Sequence, residues 1–248
     1  MSHQGEPGRY TCGVNAAPHA AVIAEQLAGA DLFAGLPTEA LTEVVGLGRV
    51  EALKRGTILF AQGGPAERCH ALIAGRVRIA QSGAEGGRVI VRFVGPGDTF
   101  GTVALFTDRR YPAEATAVID SIEISWPEPT LLALIQRYPR IALNLVSIVG
   151  ARLCEVQERL REVATQRVDQ RIAHALLRLV DRRGLADKEC AAIEFPLTRQ
   201  DLAEMCGATL YTVSRVLTAW EKAGLITSRR RQLAIHKFPE IRRLAGEV

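Results

Sequence analysis

The stretch Leu197-Thr-Arg-Gln-Asp-Leu-Ala-Glu-Met-Cys-Gly-Ala-Thr-Leu-Tyr-Thr-Val-Ser-Arg-Val-Leu-Thr-Ala-Trp220 decides how this chain reads. Thr198 followed by Asp201 is a Thr-x-x-Asp capping box, which starts a helix over 199–206. That helix buries Leu202, Ala203 and Met205, and Gly207 suits the left-handed position just beyond its end. Thr209 caps a second helix over 210–222, with Val213, Val216, Leu217 and Trp220 facing inward. Small Ala203 lets the helices approach, and β-branched Val213 fills the angle between them. Two short helices joined by a tight glycine turn form a helix-turn-helix.

The second helix then presents Leu210, Tyr211, Ser214 and Arg215 on its outer faces, where they would meet base edges in a major groove of double-stranded DNA. Arg215 can donate two hydrogen bonds to guanine, worth about 1–3 kcal/mol of discrimination. Thr198, Arg199, Gln200, Thr209 and Thr212 sit at helix N-termini, where phosphates are favoured. Downstream, Gly224-Leu-Ile226, Ser228-Arg-Arg-Arg231 and Leu233-Ala-Ile235 read as a two-stranded wing. Its turn offers Arg229, Arg230 and Arg231 to flanking DNA backbone. The plainer reading is a small helical domain with an exposed basic rim.

Charge follows the same division. The chain has 248 residues and a formal net charge of +4. Residues 1–166 carry 16 Lys+Arg against 17 Asp+Glu, whereas residues 167–248 carry 15 against 10. A near-neutral front and a basic back suit a C-terminal part that meets a polyanion. Arginines number 27 and lysines 4, and the planar guanidinium suits phosphate and guanine better than an ammonium does.

Working upstream, Ala142, Val146, Val149, Leu153, Val156, Leu160 and Val163 are spaced 4, 3, 4, 3, 4, 3, a coiled-coil seam on one long helix. A helix lying on its own domain is the alternative, and Ile141, Leu145 and Ile148 offer a second stripe for that purpose. The seam continues beside Arg152, Glu155, Glu158, Arg159, Arg161 and Glu162, which favours pairing with a second copy in a two-fold homodimer.

From 49 to 126, short runs rich in Val, Ile and Phe alternate with glycines, as in an antiparallel sandwich or barrel. Residues 76–79 and 88–93 read as a hairpin closed by 81–87. A short helix is expected at about 21–30, and Pro37-Thr38 opens a capped amphipathic one. The resulting division is a tail over 1–20, a sensor domain with flanking helices over 21–138, a dimerisation helix over 139–166 and a DNA-binding domain over 167–248. Residues 164–167 serve as the hinge, and the helix after it runs over about 167–183 to Gly184.

Several classes are excluded. No apolar run reaches ~18 residues, so no segment reads as membrane-spanning. The first twenty residues lack the pattern of a secretory signal, so the expected location is the cytoplasm. Cys12, Cys69, Cys154, Cys190 and Cys206 are scattered, without a C-x-x-C pair, so neither a disulfide framework nor a zinc knuckle is indicated. No nucleophile–base pair, metal-ligand spacing or phosphate loop suggests an enzyme.

The sequence resembles the CRP/FNR superfamily of bacterial transcription regulators over residues 31–245. The resemblance rests on Leu32-Phe-Ala-Gly-Leu-Pro37, Gly75-Arg-Val-Arg-Ile79, Gly97-Asp-Thr-Phe-Gly101 with Ala104-Leu105, Leu197-Thr-Arg-Gln-Asp-Leu-Ala203 and Val213-Ser-Arg-Val-Leu217. It implies an α+β chain: a β-roll of the cyclic-nucleotide-binding type, a jelly roll, then a long dimer helix and a winged helix-turn-helix. It also implies an effector pocket around Gly97, Asp98, Phe100, Gly101, Thr102, Val103, Ala104, Leu105, Arg110 and Pro112. A dimer of this kind would read a near-palindromic operator and, as an activator, contact RNA polymerase.

Cyclic-AMP binders of the family carry a Glu for the ribose hydroxyl and an Arg for the cyclic phosphate. Thr102 and Pro112 stand at those places, which speaks against cyclic AMP, while Arg109 and Arg110 would need a shifted loop. Cys12 alone cannot hold the iron–sulfur cluster of the oxygen-sensing branch. Leu210-Tyr-Thr-Val-Ser-Arg215 and Arg110-Tyr-Pro-Ala-Glu-Ala115 are similar to the Nnr/Dnr branch, which responds to nitric oxide. That branch implies haem as sensor, with His19, His70 or His174 as axial ligand, though ordinary packing or solvent contact accounts for each. His236 reads as a surface residue of the wing. The alternatives are a regulator of this fold answering a cyclic nucleotide or other small ligand, and a sensor-only module that does not bind DNA.

Overall fold

The computed structural model describes residues 16–181, 191–229 and 232–246, apart from the side chains of 16–21 and 181. Gly184, Arg230, Arg231, Cys12 and Cys190 lie outside the described residues.

Glycine-punctuated apolar runs fold as two four-stranded antiparallel sheets. β1 (Arg49–Leu53), β2 (Ile58–Phe60), β3 (Arg68–Ala74), β4 (Val77–Ser82), β5 (Arg88–Val94), β6 (Thr99–Phe100), β7 (Glu114–Ala117) and β8 (Ser121–Pro127) pair in the orders β1-β8-β3-β6 and β2-β7-β4-β5. The hairpin over 76–93 forms as read, with Val77 opposite Val94 and Ser82 opposite Arg88. Gly75 turns β3 into β4 at φ +96°, and a Cβ there would fall 2.2 Å from the Ser121 hydroxyl. The position needs glycine for both reasons.

Leu72, Val77, Ile79, Val94, Phe100 and Ala115 fill the space between the sheets. A second core lies under three N-terminal elements: α1 (Ala16–Ala28), a 3-10 turn (Asp31–Phe33) and α2 (Thr38–Leu47). There Trp126 is fully buried, donates its indole N–H to the Val44 carbonyl at 2.7 Å and meets Phe33 edge-on. Two expectations are corrected. The helix begins at Ala16, inside the segment read as a tail, and Thr38 lies within the second helix instead of capping it.

α3 (Thr102–Leu105) follows β6, α4 (Glu128–Arg137) ends before Pro139, and α5 (Arg140–Thr165) runs 26 residues. Ile141 is buried, and Leu145 and Ile148 pack on the N-terminal core. Gln166 is extended, at φ −107° and ψ 152°, so α5 breaks there before α6 (Val168–Asp181). The C-terminal elements are β9 (Ala191–Ala192), α7 (Arg199–Cys206), α8 (Leu210–Lys222), β10 (Ile226–Arg229), β11 (Gln232–Ile235) and α9 (Phe238–Ala245). β10 pairs with β11 as the wing, and β9 adds to its other edge. Among the described residues no helix is long and apolar enough to cross a membrane.

The C-terminal core is continuous with the outer face of the β2-β7-β4-β5 sheet through Ala80, Ile90 and Phe93. Phe93 meets Phe195 with ring centroids 4.8 Å apart, and the Arg76 guanidinium lies over the same Phe195 ring. Ile90 and Phe93 of β5 thus face the C-terminal core and Val91 and Val94 the space between the sheets, the change of face falling at the bulge opposite Ile79–Ala80, while Val89 stays exposed.

Candidate nucleic-acid interface and effector cavity

The capping box forms in full. The Thr198 hydroxyl accepts from the Asp201 amide at 3.0 Å, and Asp201 accepts the Thr198 amide at 2.8 Å. α7 ends on Gly207 at φ +58°, a left-handed turn that aims the chain into α8. Thr209 caps α8 by accepting the Thr212 amide. Val213, Leu217 and Trp220 hold α8 on the core, with Val216 partly buried beside them. Met205 is partly buried, less than its spacing suggested, because it borders the junction with the sheet domain.

That anchoring leaves the other side of α8 outside. Tyr211 is 77% exposed and Leu210 48%; Arg215 is exposed and Ser214 half-buried beside it. Tyr211, Ser214, Arg215 and Thr218 form one continuous ridge with Lys222 at its far end. The expected phosphate-facing positions are more constrained. Arg199 pairs with Glu221 at 3.3 Å, and Gln200 donates to Glu204 at 3.0 Å. Asp201 also accepts from Arg78 of β4 at 3.2 Å, and Arg88 of β5 lies 3.9 Å from Glu204. α7 therefore meets the sheet domain by charge as well as by packing.

The seam side chains face outward. Val146, Leu153 and Leu160 are 70%, 56% and 69% exposed, with Val149, Val156 and Val163 in line and Ala142 half-buried at the start. The flanking charges behave differently from expectation. Arg152 reaches Asp98 at 3.6 Å and pairs with Glu155; Arg159 donates to the Val91 carbonyl; Glu162 is buried against Arg178 and His174. These lie one ridge away from the seam and turn back onto their own chain. Glu158 and Arg161 pair with each other, which holds the Glu158 carboxyl below its usual range.

Between the two sheets and α5 lies a cavity of about 290 Å³. Of the residues that the resemblance implies for an effector pocket, Phe100, Gly101, Thr102, Val103, Ala104 and Pro112 line it. Gly97 and Asp98 line an adjoining polar recess instead, with Arg76 and Arg152. Leu105 belongs to the N-terminal core, and Arg110 is turned outward to the Gly63 carbonyl at 2.8 Å. Arg109, held at φ +57°, pairs with Glu128. Neither arginine lines the cavity. Sequence reading missed Phe60, Ile79, Val91, Arg92, Leu145, Ile148 and Arg159, all on the lining. They come from four separate elements, and only the second apolar stripe of α5 hinted at them.

His70 is buried, with Nδ1 2.7 Å from Glu123 and Nε2 3.4 Å from the Tyr111 hydroxyl, which itself donates to the Arg68 carbonyl. His174 faces Gln166 and Glu162. His236 is exposed beside Thr227. The side chain of His19 lies outside the description. Among the described residues no three His, Cys, Asp or Glu side chains are grouped to hold a metal ion. Burial pushes the Cys69 and Cys206 thiols up to about 12.

Residues 50–138 match the family model for the cyclic nucleotide-binding domain, and residues 170–244 that for the Crp-like helix-turn-helix domain. The chain is 30% identical over 198 residues to the cyclic AMP receptor protein of Thermus thermophilus, covering 80% of this chain and 88% of that one. It is 31% identical over 185 residues to the nitrogen fixation regulation protein FixK of Azorhizobium caulinodans, covering 74% and 73%. The solved structure of FixK2 from Bradyrhizobium japonicum superposes with a TM-score of 0.69 at 24% identity, covering 79% and 96%, a likeness of fold.

Proposed function

This chain belongs to the CRP/FNR family of DNA-binding transcription regulators, and we propose that it works as a homodimer reading a near-palindromic operator under control of a signal received in the β-roll. The observation that carries the reading is the ridge Tyr211–Ser214–Arg215 on a helix whose other side is fixed by Val213, Leu217 and Trp220. A rigid support behind exposed donors is what base readout requires. Two copies joined along Val146–Val163 would place two such ridges about one helical turn apart. In this reading residues 139–166 form the dimerisation unit, 164–167 the hinge and 167–248 the DNA-binding unit. Leu210 joins the ridge at the bases. Thr198, Arg199, Gln200, Thr209, Thr212 and Arg229 take the phosphates. An activator would also contact RNA polymerase.

The test starts from operators selected from random duplexes by the full-length protein. Arg215→Ala should weaken binding to the selected sequence by about 1–3 kcal/mol and relax the base it reads, leaving salt-sensitive non-specific binding in place. An unchanged footprint overturns the assignment of α8. Failure to select any sequence favours the sensor-only module.

The similarity to the Nnr/Dnr branch lies in Leu210–Arg215 on α8, which bears on the operator, and in Arg110–Ala115, of which Tyr111, Pro112 and Ala113 line the cavity. A haem ligand needs a ring nitrogen aimed into the cavity. Those of His70 face Glu123 and Tyr111, and His174 lies at the α5–α6 junction. The described histidines do not fit that role. An absorption spectrum of anaerobically purified His19→Ala protein, with and without nitric oxide, should show no Soret band.

A further inference from the structure

We infer that the cavity under α5 takes a small organic anion with an apolar body, an aryl or medium-chain carboxylate, in place of a cyclic nucleotide. The inference rests on the reading of the β-roll as the sensor and names the chemistry of what it senses.

The body of the ligand follows from the wall. Phe60, Phe100, Ile79, Val91, Leu145 and Ile148 enclose the space. A ribose hydroxyl set against any of these six side chains would find no partner there, at a cost of roughly 1–3 kcal/mol each. The Thr102 hydroxyl, which stands where the cyclic-AMP binders keep a carboxylate, is buried and lies 3.3 Å from the Cys69 sulfur. Pro112 offers no charge to a phosphate.

The head group follows from the rim. The lining holds three guanidiniums, Arg92, Arg152 and Arg159, and one carboxylate, Glu155; Asp98 beside them lies 3.7 Å from Arg92 and 3.6 Å from Arg152, which leaves one positive charge over. Their positions are set from behind: Arg92 donates to the Thr99 carbonyl at 2.7 Å, Arg152 reaches Asp98 and Glu155, and Arg159 donates to the Val91 carbonyl. A guanidinium has five donors, so it can keep these partners and still receive a carboxylate. The surplus positive charge at the edge of an apolar space favours an entering carboxylate, which gains charge-assisted hydrogen bonds. An uncharged molecule of the same body gains only the wall.

The same occupant acts on the dimer. Leu145, Ile148 and Val156 belong to α5, and Val156 lines the cavity while standing 55% exposed on the seam. A ligand that fills the cavity bears on the helix that carries the second chain and, past Gln166, α6. It biases the two arrangements by its difference in affinity for them.

The test uses full-length dimer with 1-anilinonaphthalene-8-sulfonate as a fluorescent reporter. Decanoate and 1-naphthoate are then titrated by calorimetry beside decanol and 1-naphthalenemethanol. At least one acid should bind saturably, displace the reporter and exceed its alcohol by about ten-fold or more, as charge-assisted hydrogen bonds imply. Cyclic AMP should not displace the reporter. Arg152→Gln should erase the preference for acid over alcohol, and Val91→Trp should fill the cavity and abolish both, each with an unchanged circular-dichroism spectrum. Equal binding of acid and alcohol, no saturable binding of either acid, displacement by cyclic AMP, or an unchanged preference in R152Q overturns the inference. Acid binding that leaves operator affinity unmoved overturns the sensor reading and leaves the cavity chemistry standing.

Discussion

The long helix α5 has two faces that obey different rules. One carries Val146, Leu153 and Leu160, apolar side chains that are each more than half exposed. The other carries Asn144 and Glu162, polar side chains that are buried within their own chain. Asn144 donates to the Leu32 and Ala34 carbonyls at 3.0 and 2.9 Å, and Glu162 takes up Arg178. Apolar spacing therefore marks the face that we propose a second chain covers, whereas fitted polar pairs mark the face that fixes the helix on its own domain. A buried polar group is tolerated where its partners are built in, and an exposed apolar stripe of this length asks for a cover.

The comparison breaks most visibly at Leu153. Leu153→Glu would set two carboxylates against each other in a dry seam, at several kcal/mol per dimer. Sedimentation should give a monomer, and operator binding should vanish with the dimer; an intact dimer removes the outward face from the argument. Next comes Glu162→Ala, which takes a buried carboxylate away from Arg178 and His174. It should lower stability by about 3 kcal/mol in a urea titration without changing the sedimentation coefficient. Asn144→Ala orphans two carbonyls at the 3-10 turn and should cost about 2 kcal/mol, again with the dimer intact. If either variant dissociates instead, the two faces are not separate.

The smallest effect concerns the cysteines. Burial opposes the thiolate and pushes the Cys69 and Cys206 thiols up from an ordinary 9.0 to about 12 in the fold. The folded pKa is the higher one, so this stabilisation is complete below pH 9 and drains away as pH rises from 9 toward 12. Native alkylation followed by peptide mapping should leave Cys69 and Cys206 unmodified at neutral pH. Cys154, exposed on α5, should react.

The helix-turn-helix was legible because its signals are local. Thr198 and Asp201, Gly207 and Thr209 act within a few residues of one another, and the structure reproduces each. The exposed apolar stripe of α5 was legible for the same reason, since a 4-3 pattern needs one helix. Arg152, Arg159 and Glu162 were misplaced beside it because a helical wheel fixes the angle between residues and not which neighbour fills each angle. The cavity was legible only in part. Gly101, Thr102 and Pro112 belong to one loop, but Phe60, Val91 and Leu145 meet through long-range pairing that no short window contains. Arg110 was assigned inward on nearness in sequence; the left-handed Arg109 beside it swings the loop outward.

Asp201 has a genetic consequence. Its carboxylate takes two donors from Thr198 and one from Arg78 on the sheet domain. An allele at position 201 therefore confounds two lesions, a frayed reading head and a domain released from its dock. An allele at position 78 inflicts only the second. In a screen for signal-independent regulators, substitutions of Arg78 should be recovered and those of Asp201 lost, although the two side chains share one bond.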